Sequence, residues 1–128
     1  MKALSIHPEY AAEILEEVKT EEYRTWSTNY RGDLLICSTA KKTPGCISGH
    51  AICIVELTDI EQLEDGTYAW QLTNIRWIKP FPVRGQQRLY TVDDRRIIEP
   101  SPEEVIIKNG KCHPTKEFWQ TYYQDLQD

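Results

Sequence analysis

Tyr68-Ala69-Trp70-Gln71-Leu72-Thr73-Asn74-Ile75-Arg76-Trp77-Ile78-Lys79-Pro80-Phe81-Pro82 is the stretch on which the fold turns. Tyr68, Trp70 and Leu72 fall on one face of an extended chain, whereas Ile75 and Trp77 are out of phase with them. A β-bulge near Thr73-Asn74 reconciles the two halves and bends the strand, as a small barrel requires. Pro80-Phe81-Pro82 is expected to break the strand, Arg84-Gly85 to turn it, and Gln87 to Val92 to return as a further strand.

The preceding segments fit the same sheet. Gly49 to Ile60 starts apolar on both sides and then alternates, with Val55 and Leu57 on one face and Glu56 and Thr58 on the other, which reads as a central strand running out to the rim. Leu34 to Ser38 is an apolar strand after the turn Tyr30-Arg31-Gly32-Asp33, Lys41 to Gly45 is a loop, and Thr20 to Trp26 alternates β-type residues. The chain opens with a short strand, Lys2 to Ile6. Pro8 then suits the first turn of a helix whose apolar stripe is Tyr10, Ala11, Ile14, Leu15 and Val18. Near the far end, Phe118, Trp119, Tyr122, Tyr123 and Leu126 form a second stripe that must dock on the sheet. Helix, many short strands, helix: the expected class is α+β, a small barrel with an N-terminal helix and a packed C-terminal helix. Residues 1–96 would form the barrel and 97–128 a C-terminal extension, in a single domain overall.

Composition agrees with one folded unit. The 128 residues are 40% hydrophobic and 27% charged, neither disordered nor low in complexity. The longest apolar runs, such as Ala51-Ile52-Cys53-Ile54-Val55, are far too short to span a membrane. Met1 to Ile6 is followed at once by Pro8 and Glu9, so no signal sequence is expected and the protein is placed in the cytoplasm. Cys37, Cys46, Cys53 and Cys112 are then expected as free thiols. A zinc site built on Cys46, His50, Cys53, Cys112 and His113 is disfavoured, because no Cys-x-x-Cys pair exists and His50 and Cys53 point to opposite faces of a strand. No metal or other cofactor is expected.

Charge is segregated. Residues 1–18 carry one Lys and four Glu, and residues 97–128 three Lys and six acids, so each flank is −3, while the middle, with eleven basic and ten acidic residues, is +1. Gly66 to Val92 holds no acid and interleaves Arg76, Lys79, Arg84 and Arg88 with Tyr68, Trp70, Trp77, Phe81 and Tyr90. Such a stretch either binds phosphates and stacks bases, or places aromatics in the core under a solvated basic face.

Chemistry concentrates in Lys19-Thr20-Glu21-Glu22-Tyr23-Arg24-Thr25-Trp26. On a strand, Glu22, Arg24 and Trp26 share one side, with Lys19 at the mouth. These charges must pair with each other or with a ligand, so a structural Glu22–Arg24 ion pair and a binding wall are both open.

This motif resembles the ASCH domain signature, Gly-x-Lys-x-x-Glu-x-Arg after the first helix, with Lys19, Glu22 and Arg24 matching and Glu17 standing where the family has Gly. The turn at Glu17 is therefore expected to close differently. The resemblance extends through Leu4-Ser5-Ile6-His7-Pro8, Arg24-Thr25-Trp26-Ser27-Thr28, Tyr30-Arg31-Gly32, Leu34-Leu35-Ile36 with Ser38, and Tyr68 through Tyr90. It covers about residues 2–92 and is closest to the ASCH domains of transcription-coactivator type. It implies a PUA-like barrel whose groove accepts RNA or a nucleotide-like small molecule, with Lys19, Glu22, Arg24, Trp26, Arg31, Ser38, Tyr68 and Arg76 as ligand-binding candidates. Similar small proteins are amidohydrolases of acylated cytidine, whose nucleophilic Thr corresponds to Glu22 here, so Thr20, Thr25 or Ser38 would have to substitute. Others are similar to metal-independent ribonucleases, for which Lys19 with Tyr23 or Tyr30 is the candidate pair. Catalytic candidates are thus Lys19, Glu22 and Tyr23. The acidic flanks and the aromatic C-terminal helix leave a protein-interaction adaptor as a further alternative, with contacts around Phe118 and Trp119.

Overall fold

The computed structural model describes residues 1–128. Its strands are β1 (Lys2–Ile6), β2 (Glu21–Arg24), β3 (Gly32–Ser38), β4 (His50–Gln62), β5 (Tyr68–Pro82), β6 (Tyr90–Thr91), β7 (Val105–Lys108) and β8 (Lys111–Pro114). Helices α1 (Pro8–Leu15) and α2 (Lys116–Tyr122) lie after β1 and β8. Six strands form one sheet in the order β2-β5-β4-β3-β1-β6, and β7-β8 is a separate hairpin. Only the β1–β3 pair is parallel, because α1 carries the chain over between them.

The central strands are apolar on both faces because both faces are covered. On one face Leu4, Ile6, Leu34, Ile36, Leu57, Trp70 and Leu72 pack against Ala11, Ile14 and Leu15 of α1 and against Phe118 and Tyr123. On the other, Ala3, Leu35, Cys37, Ala51, Ile54 and Ile78 pack beneath Tyr90 and Val92. The α1 stripe is smaller than expected, since Tyr10 is exposed and the helix ends at Leu15, leaving Val18 beyond it and exposed.

The bulge expected at Thr73-Asn74 is present. Glu56 pairs with Thr73 and Ile54 with Arg76, one extra residue on β5, and Asn74 takes a left-handed φ of 54°. The prolines, however, do not end β5. Ala51 pairs with Phe81 and Cys53 with Trp77, so Pro80 falls in a second irregularity. Val83 N–H donates to Gly49 O, so Pro82, one residue earlier, turns its missing donor to the outer edge.

The sheet curls but is open, not a closed barrel. The segment expected as a strand over Gln87–Val92 pairs only at Tyr90–Thr91, because Arg88 takes a left-handed φ of 60° and interrupts the extended chain. With β6 so short and β2 only four residues long, no backbone ladder joins the two sheet ends. Side chains bridge that seam instead. Arg24 Nη2 on β2 donates to Ser5 O on β1 at 2.8 Å, a carbonyl beyond the reach of β6.

The C-terminal extension belongs to the same core. Phe118 is 2% exposed and Tyr123 fully buried, while Trp119 stacks on Tyr123 at 4.9 Å. The aromatic residues on which an adaptor surface would rest are therefore largely occupied within the chain. No helix is long and apolar enough to cross a membrane.

Candidate functional site

The end of α1 sets the site. Glu17 N–H bonds Ile14 O and Val18 N–H bonds Glu13 O, a Schellman closure with Glu17 at the left-handed position, φ 59°. The turn thus closes in the way a glycine would close it, correcting the expectation of a different closure, and a Glu bears the strain. Lys19 follows two residues later, facing β2.

Lys19 Nζ lies 3.4 Å from Glu22 Oε1, and Arg24 Nη2 lies 2.9 Å from Glu22 Oε2. Glu22 is 7% exposed, a buried carboxylate flanked by two cations. Lys19 is further held 5.4 Å above the rings of both Tyr10 and Tyr23. Trp26 packs edge-on to Trp70 at 4.8 Å, and Trp70 Nε1 donates to Trp26 O. The Arg88 guanidinium sits 5.1 Å over the Trp26 ring. Two buried polar atoms on this wall, Arg24 Nε and Thr39 Oγ1, have no hydrogen-bond partner.

Together these residues line a cavity of about 1050 Å³ in the seam, between β2, the end of β1 and the loop before β6. Of the sequence candidates it contains Lys19, Glu22, Tyr23, Arg24 and Trp26. Four lie elsewhere. Ser38 is 1% exposed and bonded to the His50 backbone, and Arg31 bonds Thr28 O and reaches Asp59. Tyr68 pairs with Arg24 in the ladder but packs against the core, and Arg76 is held by Asp33 and Glu99 at 2.8 and 2.9 Å. Of the basic–aromatic stretch, Arg88 alone among the basic residues reaches the cavity; Trp70, Trp77 and Tyr90 are core. Ser5, His7, Thr39, Gln86 and Gln87 also line it, although none is among the site candidates of the sequence, because the curl of the sheet brings them there.

Of the hydroxyls weighed as nucleophiles, Thr25 lines the cavity, whereas Thr20 lines a second one of about 460 Å³ on the other side of Lys19. Tyr30 does not reach the site, since its hydroxyl donates to Asp33 O. No group of three or more His, Cys, Asp or Glu side chains converges. Burial pushes the Cys37 thiol up to about 11 and the Cys53 thiol higher still.

Comparison with curated proteins finds no match. A family model described as the ASCH domain matches residues 4–104, from β1 to the start of the β7–β8 hairpin, and includes every charged residue of the seam. The chain belongs to the ASCH domain family.

Proposed function

We propose that this ASCH domain, of the transcription-coactivator type, binds single-stranded RNA or a nucleotide in the seam cavity and works in the cytoplasm. Lys19 and Arg24 meet phosphate, Trp26 offers a stacking face, and Glu22 holds the two cations in place between ligands. One observation carries the reading: the Lys-x-x-Glu-x-Arg residues converge on the wall of a single cavity whose size lies at the upper end of small-ligand sites, roughly 300–1,000 Å³. A purely structural ion pair needs no such cavity and leaves no orphaned donor beside it.

An amidohydrolase has less support. Glu22 occupies the nucleophile's place in the motif and is engaged by two cations, and Ser38 is sealed in the core.

Titration of labelled single-stranded RNA at two salt concentrations tests the proposal. About three phosphate contacts give a log–log salt slope of roughly two. Lys19→Ala or Arg24→Ala should weaken binding and flatten the slope, while Arg76→Ala, outside the cavity, should leave both unchanged. Affinity that is independent of salt and unaltered in Lys19→Ala refutes the reading.

A further inference from the structure

We propose that the seam cavity takes a terminal phosphomonoester, the phosphorylated end of an RNA or a nucleoside phosphate, rather than an internal phosphodiester; the inference rests on the nucleotide-binding reading above. Charge is the first argument. Lys19, Arg24 and Arg88 line the cavity with Glu22 as its only carboxylate, a surplus of two positive charges in a chain that is −5 overall. Glu9, on the first turn of α1, turns to Lys41 instead, and Glu21 accepts from Gln71 on the other side of β2. A ligand that covers these cations from water must match their charge, and a phosphomonoester carries close to two negative charges where a phosphodiester carries one.

Hydrogen-bond capacity is the second argument. Arg24 Nε and Thr39 Oγ1 are buried on the wall without partners, and such atoms are rare unless a ligand or water completes them. Arg88 forms no ion pair and no side-chain hydrogen bond, and its guanidinium lies over the Trp26 ring, which leaves the fork's donors uncommitted. A terminal phosphate presents three acceptor oxygens on one atom, enough for all three groups; an internal linkage presents two. Arg88 then leaves the Trp26 ring for the phosphate, and the first base takes the vacated face.

The test uses the full chain at pH 8, with one short oligouridylate carrying a 5′-phosphate, a 3′-phosphate, hydroxyls at both ends, or a 5′-phosphate capped as its methyl ester. One phosphorylated end should bind at least about tenfold more tightly than the hydroxyl form, the effect of an added charge-assisted hydrogen bond, and methylation should abolish the gain. Arg88→Ala should erase the preference for the phosphorylated end while keeping the parent melting temperature, and Arg88→Lys should restore part of it. Uridine monophosphate binding as tightly as the phosphorylated oligomer identifies a free nucleotide as the ligand; much weaker binding identifies an RNA end. Equal affinity for phosphorylated and hydroxyl ends overturns the inference and leaves RNA binding standing. Binding of none of these probes overturns both.

Discussion

Replacing Glu22 with Gln keeps the shape of the side chain and removes the charge between Lys19 and Arg24. At an effective dielectric constant of about 20, the separations of 3.4 and 2.9 Å correspond to gross attractions of about 5 and about 6 kcal/mol. Desolvation of the three groups offsets most of this, and breaking a fully buried pair costs about 3–5 kcal/mol. Here the Lys19 and Arg24 side chains keep 14% and 24% of their exposure and Gln retains an acceptor, so about 2–3 kcal/mol is expected. For a chain of 128 residues, with an unfolding entropy of about 2.1 cal/mol/K per residue, the melting temperature should fall by about 7–11 °C. Calorimetry reads the loss, and a double-mutant cycle with Lys19→Met isolates the pairwise part, expected at about 1 kcal/mol or more. RNA affinity at low salt should hold or rise, because two cations are released to the ligand. A melting temperature within about 2 °C of the parent would show that the cluster contributes nothing to folding and would refute the electrostatic account of the wall.

The strained turn predicts the opposite sign. Glu17→Gly should stabilise by about 1 kcal/mol, read by urea unfolding, because a left-handed non-glycine residue costs about 1–2 kcal/mol and glycine returns part of that as chain entropy. Tyr123→Phe should cost about 1–3 kcal/mol, since its buried hydroxyl lies 2.8 and 2.7 Å from the carbonyls of Ile52 and Ile78; an unchanged urea midpoint contradicts this. Stability should also decline in alkali. The Cys37 thiol ionises near 9.0 when unfolded and only at about 11 when folded, so its contribution is complete below pH 9 and disappears as pH rises toward 11. The decline is about 3 kcal/mol for this group, and Cys37→Ala should make the measured pH slope shallower.

Local pattern carried much of this into the sequence. The phase slip between Leu72 and Ile75 located a bulge that the structure places at Asn74, and alternation put Glu22, Arg24 and Trp26 on one wall. What escaped was set by curvature and by edges. Arg88 stands 62 residues beyond Trp26, and only the curl of the sheet brings them together. Pro82 reads as a strand breaker in the sequence because its orientation depends on an irregularity two residues away, which no propensity encodes. Arg76 reads as a phosphate ligand beside aromatic residues, but Asp33, on the far side of β4, and Glu99, both distant in sequence, engage it.

The Tyr123 hydroxyl sits where β4 and β5 lose register, between Cys53–Trp77 and Ala51–Phe81. It acts there as a substitute rung, one hydroxyl within hydrogen-bond distance of a carbonyl on each strand, Ile52 O on β4 and Ile78 O on β5. The hydrophobic core therefore continues past the family boundary at residue 104. A fragment cut there would keep every residue of the seam yet lose the rung, along with the Phe118 that caps the same core. Such a fragment should open first at the β4–β5 defect, because the packed core of this protein extends past the segment that its family model matches.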